Sequence, residues 1–382
     1  MGKPLAEARA EVAKCCLACE YYAEHARAFL SDEHPPGSPR RARVVFEPMG
    51  PVLAVMPWNF PYWQLFRAAA PALMAGNTML LKHASNVTGC ARAIEDVFAE
   101  AGLPRGVFQT LVIARGRVAA LVADPRVRAV TMTGSTQAGK VVASQAGAAM
   151  KKGVFELGGS DAYIVLADAD IERAAEVCAF SRLINAGQSC ISAKRFIVVR
   201  SVARAFEEEL TARMAARRVG NPLDPATQVG PLARGDLRDE LHRQVRASVR
   251  RGARVLIGGR PLAGPGYYYA PTVLSRVRKG MPAYSEELFG PVAAVIPVRD
   301  EAEAVAVAND SPFGLGAAVF TRSRRKAERV AARLEAGVVF ANDAVRSDPS
   351  LPFGGVKQSG FGRELGRQGI MEFVNAKSLW MA

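Results

Sequence analysis

Apolar residues recur at helical spacing from Leu5 to Leu30, and the proline- and charge-rich stretch Ser31 to Arg40 then breaks the pattern. This predicts a long helix followed by a linker. Val44 to Phe46, Pro48 to Pro51 and Val52 to Met56 read as strand, turn and strand, the second strand running directly into Pro57, Trp58 and Asn59. A regular alternation follows: helix about Trp63 to Ala75, strand Thr78 to Leu81, helix Gly89 to Ala101, strand Val107 to Val112, helix Arg117 to Ala123, strand Val127 to Met132. Short β-branched runs between amphipathic helices predict a parallel sheet covered on both faces, an α/β arrangement suited to a nucleotide. Helix Thr136 to Met150 leads to strand Val154 to Leu157, which stops at Gly158 and Gly159. A second α/β region runs from Asp161 to about Ser359, and Phe373 to Met381 has the pattern of a last strand.

A chain of 382 residues exceeds one ordinary domain and predicts two to three. Its 49% hydrophobic and 23% charged residues are ordinary for a globular protein, with no repeat or low-complexity segment. The net charge of +14 brings nucleic acid or a membrane surface into consideration. However, basic pairs such as Arg217-Arg218, Arg250-Arg251 and Arg324-Arg325 are dispersed with no aromatic platform between them, the pattern of a solvated arginine-rich surface. No apolar run reaches the ~20 residues of a membrane helix and the N-terminus lacks a secretory pattern, so the expected compartment is the cytoplasm. Of the six cysteines, Cys15, Cys16 and Cys19 share one helix while Cys90, Cys178 and Cys190 are scattered. Free thiols and no metal are expected, because no histidine and cysteine set with zinc spacing follows the trio.

Ligands of parallel sheets bind at the carboxyl ends of strands, so the segments after strands are where chemistry is sought. After Met132 comes Thr133-Gly134-Ser135-Thr136-Gln137-Ala138-Gly139, a small-residue turn opening a helix, which can present backbone N–H groups to a pyrophosphate or simply cap the helix. Glu156 stands beside Gly158 and Gly159 at a strand end, where it can be a general base or an exposed acid. Thirty-four positions on, Gly187-Gln188-Ser189-Cys190 offers a thiol in a glycine-containing turn, a setting for a nucleophile; Cys178 lies in an apolar helix pattern that suits inert packing.

The joint order is more specific than any one segment. Pro57-Trp58-Asn59-Phe60-Pro61, Thr133-Gly134-Ser135-Thr136, Glu156-Leu157-Gly158-Gly159, Gly187-Gln188-Ser189-Cys190, Glu286-Glu287-Leu288-Phe289-Gly290-Pro291 and Pro352-Phe353-Gly354-Gly355 with Lys357, Ser359 and Gly360 resemble the aldehyde dehydrogenase superfamily over nearly the whole chain. Lys82-His83-Ala84-Ser85-Asn86 and Gly158-Gly159-Ser160-Asp161 most resemble its bacterial succinate-semialdehyde dehydrogenase branch.

The resemblance implies an aldehyde dehydrogenase-like α/β fold. Its parts would be a Rossmann-like cofactor domain (1–39 and 52–157), an α/β catalytic domain (158–358) and a small bridging sheet (40–51 and 372–382) that joins subunits into a homodimer or homotetramer. It implies Cys190 as nucleophile, Glu156 as base and Asn59, with the Cys190 backbone N–H, as oxyanion donors. NAD or NADP would meet Trp58, Lys82, Ser85, Gly134, Ser135, Glu287 and Phe289, and an aldehyde substrate Arg67, Ser347 and Phe353. The competing class is a non-catalytic relative serving as an interaction protein; a nucleophile, a base and an oxyanion donor together argue against it.

Four details modify this expectation. The family normally carries several dozen further residues before the helix near Leu5, so lower stability and cofactor affinity are expected. Ser85 stands three residues after Lys82, where strictly NAD-using relatives often carry a carboxylate, and a hydroxyl there admits a 2′-phosphate. Arg67 follows Asn59 by eight positions, ~12 Å along a helix, and can either capture a substrate carboxylate in the tunnel, with help from Arg346 or Ser347, or sit on the surface. The second arginine that some succinate-semialdehyde relatives hold six residues before the nucleophile is Ile184 here.

Overall fold

The computed structural model describes residues 1–39 and 41–381; Arg40, which closes the predicted linker, and Ala382, the last residue assigned to the bridging sheet, lie outside the described residues. Two compact units emerge. The first comprises 10–157, 347–354 and the chain from Gly360 onward; the second comprises Met1–Arg9, Gly158–Arg346 and Gly355–Ser359. The first two turns of the N-terminal helix thus count with the second unit, where the Leu5 N–H donates to Pro222 O and Glu7 accepts the Asn185 N–H. The bridging strands count with the first.

Helix α1 spans Leu5–Phe29, and within the first unit it buries Glu11, Cys15, Ala18, Tyr22 and Ala26, one stripe at helical spacing. That unit's main sheet has the order β16-β6-β5-β2-β3-β4, from strands β2 (Pro51–Met56), β3 (Thr78–His83), β4 (Phe108–Thr110), β5 (Ala129–Thr133), β6 (Lys152–Glu156) and β16 (Gly360–Phe361). All pairs are parallel except β16 on β6. Helices α2 (Trp63–Met74), α3 (Thr88–Glu100), α4 (Val118–Ala123) and α5 (Thr136–Ala148) connect the strands. Every residue of β5 is buried, which explains a near-continuous apolar run. The chain moves outward from β2 through β3 to β4 and then returns to the other side of β2 as β5. Such a reversal of strand order opens a crevice at the carboxyl ends.

Strands β1 (Ala42–Pro48) and β17 (Val374–Trp380) form a separate antiparallel ribbon in register from Ala42 with Trp380 to Pro48 with Val374. In the second unit, strands β7 (Ala162–Val165), β8 (Arg195–Val199), β9 (Arg254–Ile257), β10 (Thr272–Ser275), β11 (Val292–Val298), β13 (Gly316–Phe320) and β14 (Val338–Ala341) make a sheet of order β14-β13-β7-β8-β11-β10-β9, parallel except for β9. A two-residue ladder joins β12 (Phe313–Gly314) to β15 (Val356–Lys357). All six cysteines are free, with Cys178 buried in the second unit's core. Among the described residues no helix is long and apolar enough to cross a membrane.

One buried side chain fixes the first unit's chain path. Asn77 Oδ1 accepts the N–H groups of Met49 and Gly50 at 2.8 and 3.0 Å, and its Nδ2 donates to Ala72 O and Phe373 O at 2.9 Å each. Leucine at this position would take that partner from the part-buried N–H groups of Met49 and Gly50 and from Phe373 O, at about 1–3 kcal/mol each, while Ala72 O would keep the backbone N–H of residue 77 at 3.1 Å. Asn77→Leu should therefore lower stability by at least about 3 kcal/mol, read as a fall in the urea midpoint with an unchanged slope.

Candidate active site

In the first unit the chemistry-bearing residues follow the carboxyl ends of adjacent strands. Trp58 and Asn59 come after β2, Lys82 lies near the end of β3 with Ser85 just beyond, and Gly134 and Ser135 follow β5. Asn59 is buried. Its turn is held from two sides. His83 Nε2 donates to Pro61 O at 2.9 Å while Nδ1 accepts the Ala84 N–H at 3.0 Å, an arrangement that needs the neutral Nε2–H tautomer, and burial lowers this histidine's pKa. Glu11, reaching from α1, accepts the N–H groups of Tyr62 and Trp63 at 2.8 and 3.0 Å and so caps α2, which lacks a capping side chain of its own. Ser135 caps α5 by accepting the Ala138 N–H at 3.3 Å. Ser85 is exposed, and Lys82 is half-buried with its pKa drawn down by desolvation.

Glu156 ends β6, opposite Thr133 of β5 on one side and Gly360 of β16 on the other. It is not an exposed strand-end acid. Only 1% of it is accessible, and neither carboxylate oxygen has a hydrogen-bond partner among the described residues. Burial first, and the Glu364 carboxylate second, push its pKa well above the usual range, against the pull of Arg67 and Arg363. Gly354 leaves it room, because a Cβ there would stand 2.7 Å from Oε1.

Arg67 is no surface residue either. Its guanidinium forms a buried ion pair with Glu364, stands 3.5 Å from Thr133 Oγ1 and lies over the Phe353 ring with 4.6 Å to the centroid. Within the first unit the carboxylate it meets is the protein's own. Ser347 is buried too, accepting from Trp63 Nε1 and Lys14 Nζ at 3.0 Å each. Phe353 is buried beneath Arg67. Arg346, within the second unit, is exposed and paired with Asp343 at 2.5 Å.

The second unit presents the turn that leads to Cys190. Helix α6 (Ile171–Leu183) ends in a short 3-10 segment in which Asn185, Ala186 and Gly187 all have left-handed φ, at 53°, 54° and 76°. For asparagine and alanine such backbone stores about 1–3 kcal/mol each. Glycine is required at 187, because a Cβ would stand 2.2 Å from Gly290 O. Beyond this turn Ser189 is buried and Cys190 partly exposed, the graded emergence expected of a thiol offered to a substrate. Glu287 Oε1 accepts the Gly159 N–H at 3.1 Å, and Phe289 is half-buried.

Residues 1–379 match the sequence profile of the Aldehyde dehydrogenase family. The chain belongs to this family. Among curated aldehyde dehydrogenases it is similar to a probable succinate-semialdehyde dehydrogenase [NADP(+)] of Synechocystis, 51% identical over all of this chain and 84% of the relative. It is also similar to the succinate semialdehyde dehydrogenase [NAD(P)+] Sad of Escherichia coli, 50% identical over all of this chain and 82% of that one. Among solved structures, the succinic semialdehyde dehydrogenase from Streptococcus pyogenes in complex with NADP+ superposes with a TM-score of 0.96 at 40% identity, covering 99% of this chain and 83% of that one.

The first unit fits the dinucleotide such an aldehyde dehydrogenase uses. The capped N-terminus of the thirteen-residue α5 offers the positive end of a helix dipole to a pyrophosphate, and half-buried Lys82 with the exposed Ser85 hydroxyl suits a ribose or its 2′-phosphate. Glu11 and Glu364 were not among the residues singled out from sequence. The one usable signal for Glu364 was an acid inside the glycine-rich run from Gly354 to Gly366. Were Glu156 the general base, which works only when deprotonated, its raised pKa should place the acid limb of the kcat–pH profile above the ordinary carboxylate range. Glu364→Gln, which removes the like charge, should bring that limb down. Arg67→Ala should push it up and depress turnover of charged and neutral aldehydes alike; a loss confined to KM for an acidic semialdehyde would return Arg67 to substrate capture.

Proposed function

We propose that this chain oxidises succinate semialdehyde to succinate with NADP+ or NAD+ through a cysteine thioester. The observation that carries this reading is a partly exposed thiol on a strained turn and a buried, unpartnered carboxylate in a chain about half identical, end to end, to the enzymes named for that reaction. The same likeness disfavours the non-catalytic alternative.

In this reading the Cys190 thiolate forms a C–S bond to the aldehyde carbon. The resulting oxyanion would accept hydrogen bonds from the Cys190 backbone N–H and the Asn59 side-chain amide. The C–H bond of this adduct then breaks to leave the thioester, and the chemistry a nicotinamide would supply when bound is acceptance of that hydride. Glu156 then takes a proton from water as that water's oxygen attacks the thioester, and the C–S bond breaks to return the thiolate. Lys82, Ser85, Gly134, Ser135, Trp58, Glu287 and Phe289 would hold the nucleotide, Glu287 as a ribose ligand and Phe289 as a nicotinamide contact. Arg67 serves foremost as the cation that balances Glu364 and Glu156. Its capture of a substrate carboxylate, beside Ser347 and Phe353, is the second reading, favoured by the relatives' names.

The assembly is a homodimer or homotetramer of cytoplasmic enzyme. An isolated two-stranded ribbon is marginal by itself, and on β17 Trp380 is 68% exposed, as a strand awaiting a partner copy would leave it. Six free thiols suit a reducing compartment.

Cys190→Ala should abolish aldehyde oxidation while leaving cofactor-induced thermal stabilisation intact, and Glu156→Gln should give a burst of reduced cofactor followed by a slow steady rate. Residual Cys190→Ala turnover within about tenfold of wild type overturns the assignment. For the nucleotide, wild type should accept both NADP+ and NAD+, and Ser85→Glu should shift the preference to NAD+ by repelling the 2′-phosphate, measured as the ratio of the two kcat/KM values.

A further inference from the structure

Two buried cations lie along the nucleophile turn, and the reaction steps above use neither. Arg182 of α6 donates to Gly187 O at 2.6 Å. Lys194, 1% exposed and four residues after Cys190, spends its ammonium on the carbonyls of that turn: Cys190 O at 2.7 Å, Ser189 O at 2.9 Å and Ser192 O at 3.3 Å. Glu287 Oε1 stands 3.5 Å from the same nitrogen and also accepts the Gly159 N–H. Gly159 in turn lies so close to the Cys190 carbonyl that a Cβ would stand 2.7 Å away. The circuit is closed: Cys190 O, Lys194, Glu287, Gly159 and back to Cys190.

Taking an ammonium out of water is unfavourable, and a methionine of similar length would fill the space without that penalty. A charge kept there despite the penalty has a use. We propose that Lys194 is a positioning residue for aldehyde oxidation, its ammonium locking the carbonyls of the 189–192 turn to Glu287 so that one cation sets both the nucleophilic thiol and the ribose-facing acid. This rests on Cys190 as nucleophile and Glu287 as a cofactor ligand.

The groups acting on Lys194 come from every side. Burial draws its pKa down, Glu287 before β11, Asp161 before β7 and Cys190 favour its charged form, and Arg182 opposes it. By reciprocity the ammonium favours the Cys190 thiolate, and Glu287 partly offsets it. The two neighbours should therefore move the thiol in opposite directions, which a merely structural lysine would not do.

The test alkylates the full-length wild type, Lys194→Met and Glu287→Gln with iodoacetamide across pH, following the Cys190 peptide by mass spectrometry. Lys194→Met should raise the midpoint of alkylation by about one pH unit, a roughly tenfold slower reaction near neutrality, and Glu287→Gln should lower it. Unmoved midpoints, or shifts of the same sign, overturn the proposal. Should Lys194→Met fail to fold, Glu287→Gln alone decides, since a midpoint that does not fall is incompatible with an offset ammonium. Turnover of Cys190→Ala tests the underlying reading separately: an inactive Cys190→Ala with unshifted midpoints rejects Lys194 and keeps the nucleophile.

Discussion

Charge withheld from water must be balanced by charge, and in each unit that requirement governs the elements around the reactive groups. In the first unit Glu156 has lost solvent without gaining a hydrogen bond among the described residues, beside a second buried acid, Glu364. Arg67 and Arg363 are what make two carboxyl groups tolerable there, and α2 carries Arg67 from a start that Glu11 caps. A carboxylate in such surroundings stays proton-hungry because its anion is poorly solvated. Replacement of the cluster by apolar residues would suit stability and forfeit the chemistry.

Backbone geometry does for Cys190, the proposed nucleophile, what charge does for Glu156, the proposed base. Three consecutive left-handed residues are a shape that helices and strands do not supply, and they turn the chain out of α6 so that Ser189 stays inside while Cys190 emerges. The glycines at 159, 187 and 354 are places where another group occupies the volume a side chain would need: the Cys190 carbonyl, the Gly290 carbonyl and the Glu156 carboxylate.

Elements were legible in the sequence because their periodicity is local. Helix α1 was expected from Leu5 to Leu30 and spans Leu5–Phe29, and the alternation from β2 to β6 follows the apolar runs to within a few residues at each boundary. Cys190, Glu156 and Asn59 stood out through motif order, since each lies in a short segment of distinctive composition. Partnerships did not stand out. Glu11 and Trp63 are 52 positions apart, Arg67 and Glu364 far more, and nothing in either local pattern names the other. Arg67 shows the consequence: helix position alone allowed a reach toward substrate, whereas tertiary packing gave its guanidinium to an acid of the same unit. Lys194 reads in sequence as one basic residue among fifty.

The ribbon and the edge of the first unit's sheet carry a temporal consequence. Strand β16 completes the sheet against β6, Phe373 O receives Asn77, and β17 covers β1, so the partners of the earliest strands are translated last. On the ribosome the second unit can acquire nearly all of its strands while the first still lacks an edge, its asparagine knot and half of its ribbon. The outer edge of β6 must wait through the synthesis of roughly two hundred intervening residues and β1 through roughly three hundred, the interval in which exposed edges recruit wrong partners. Nascent-chain quality control, more than equilibrium stability, is then where this polypeptide is most vulnerable.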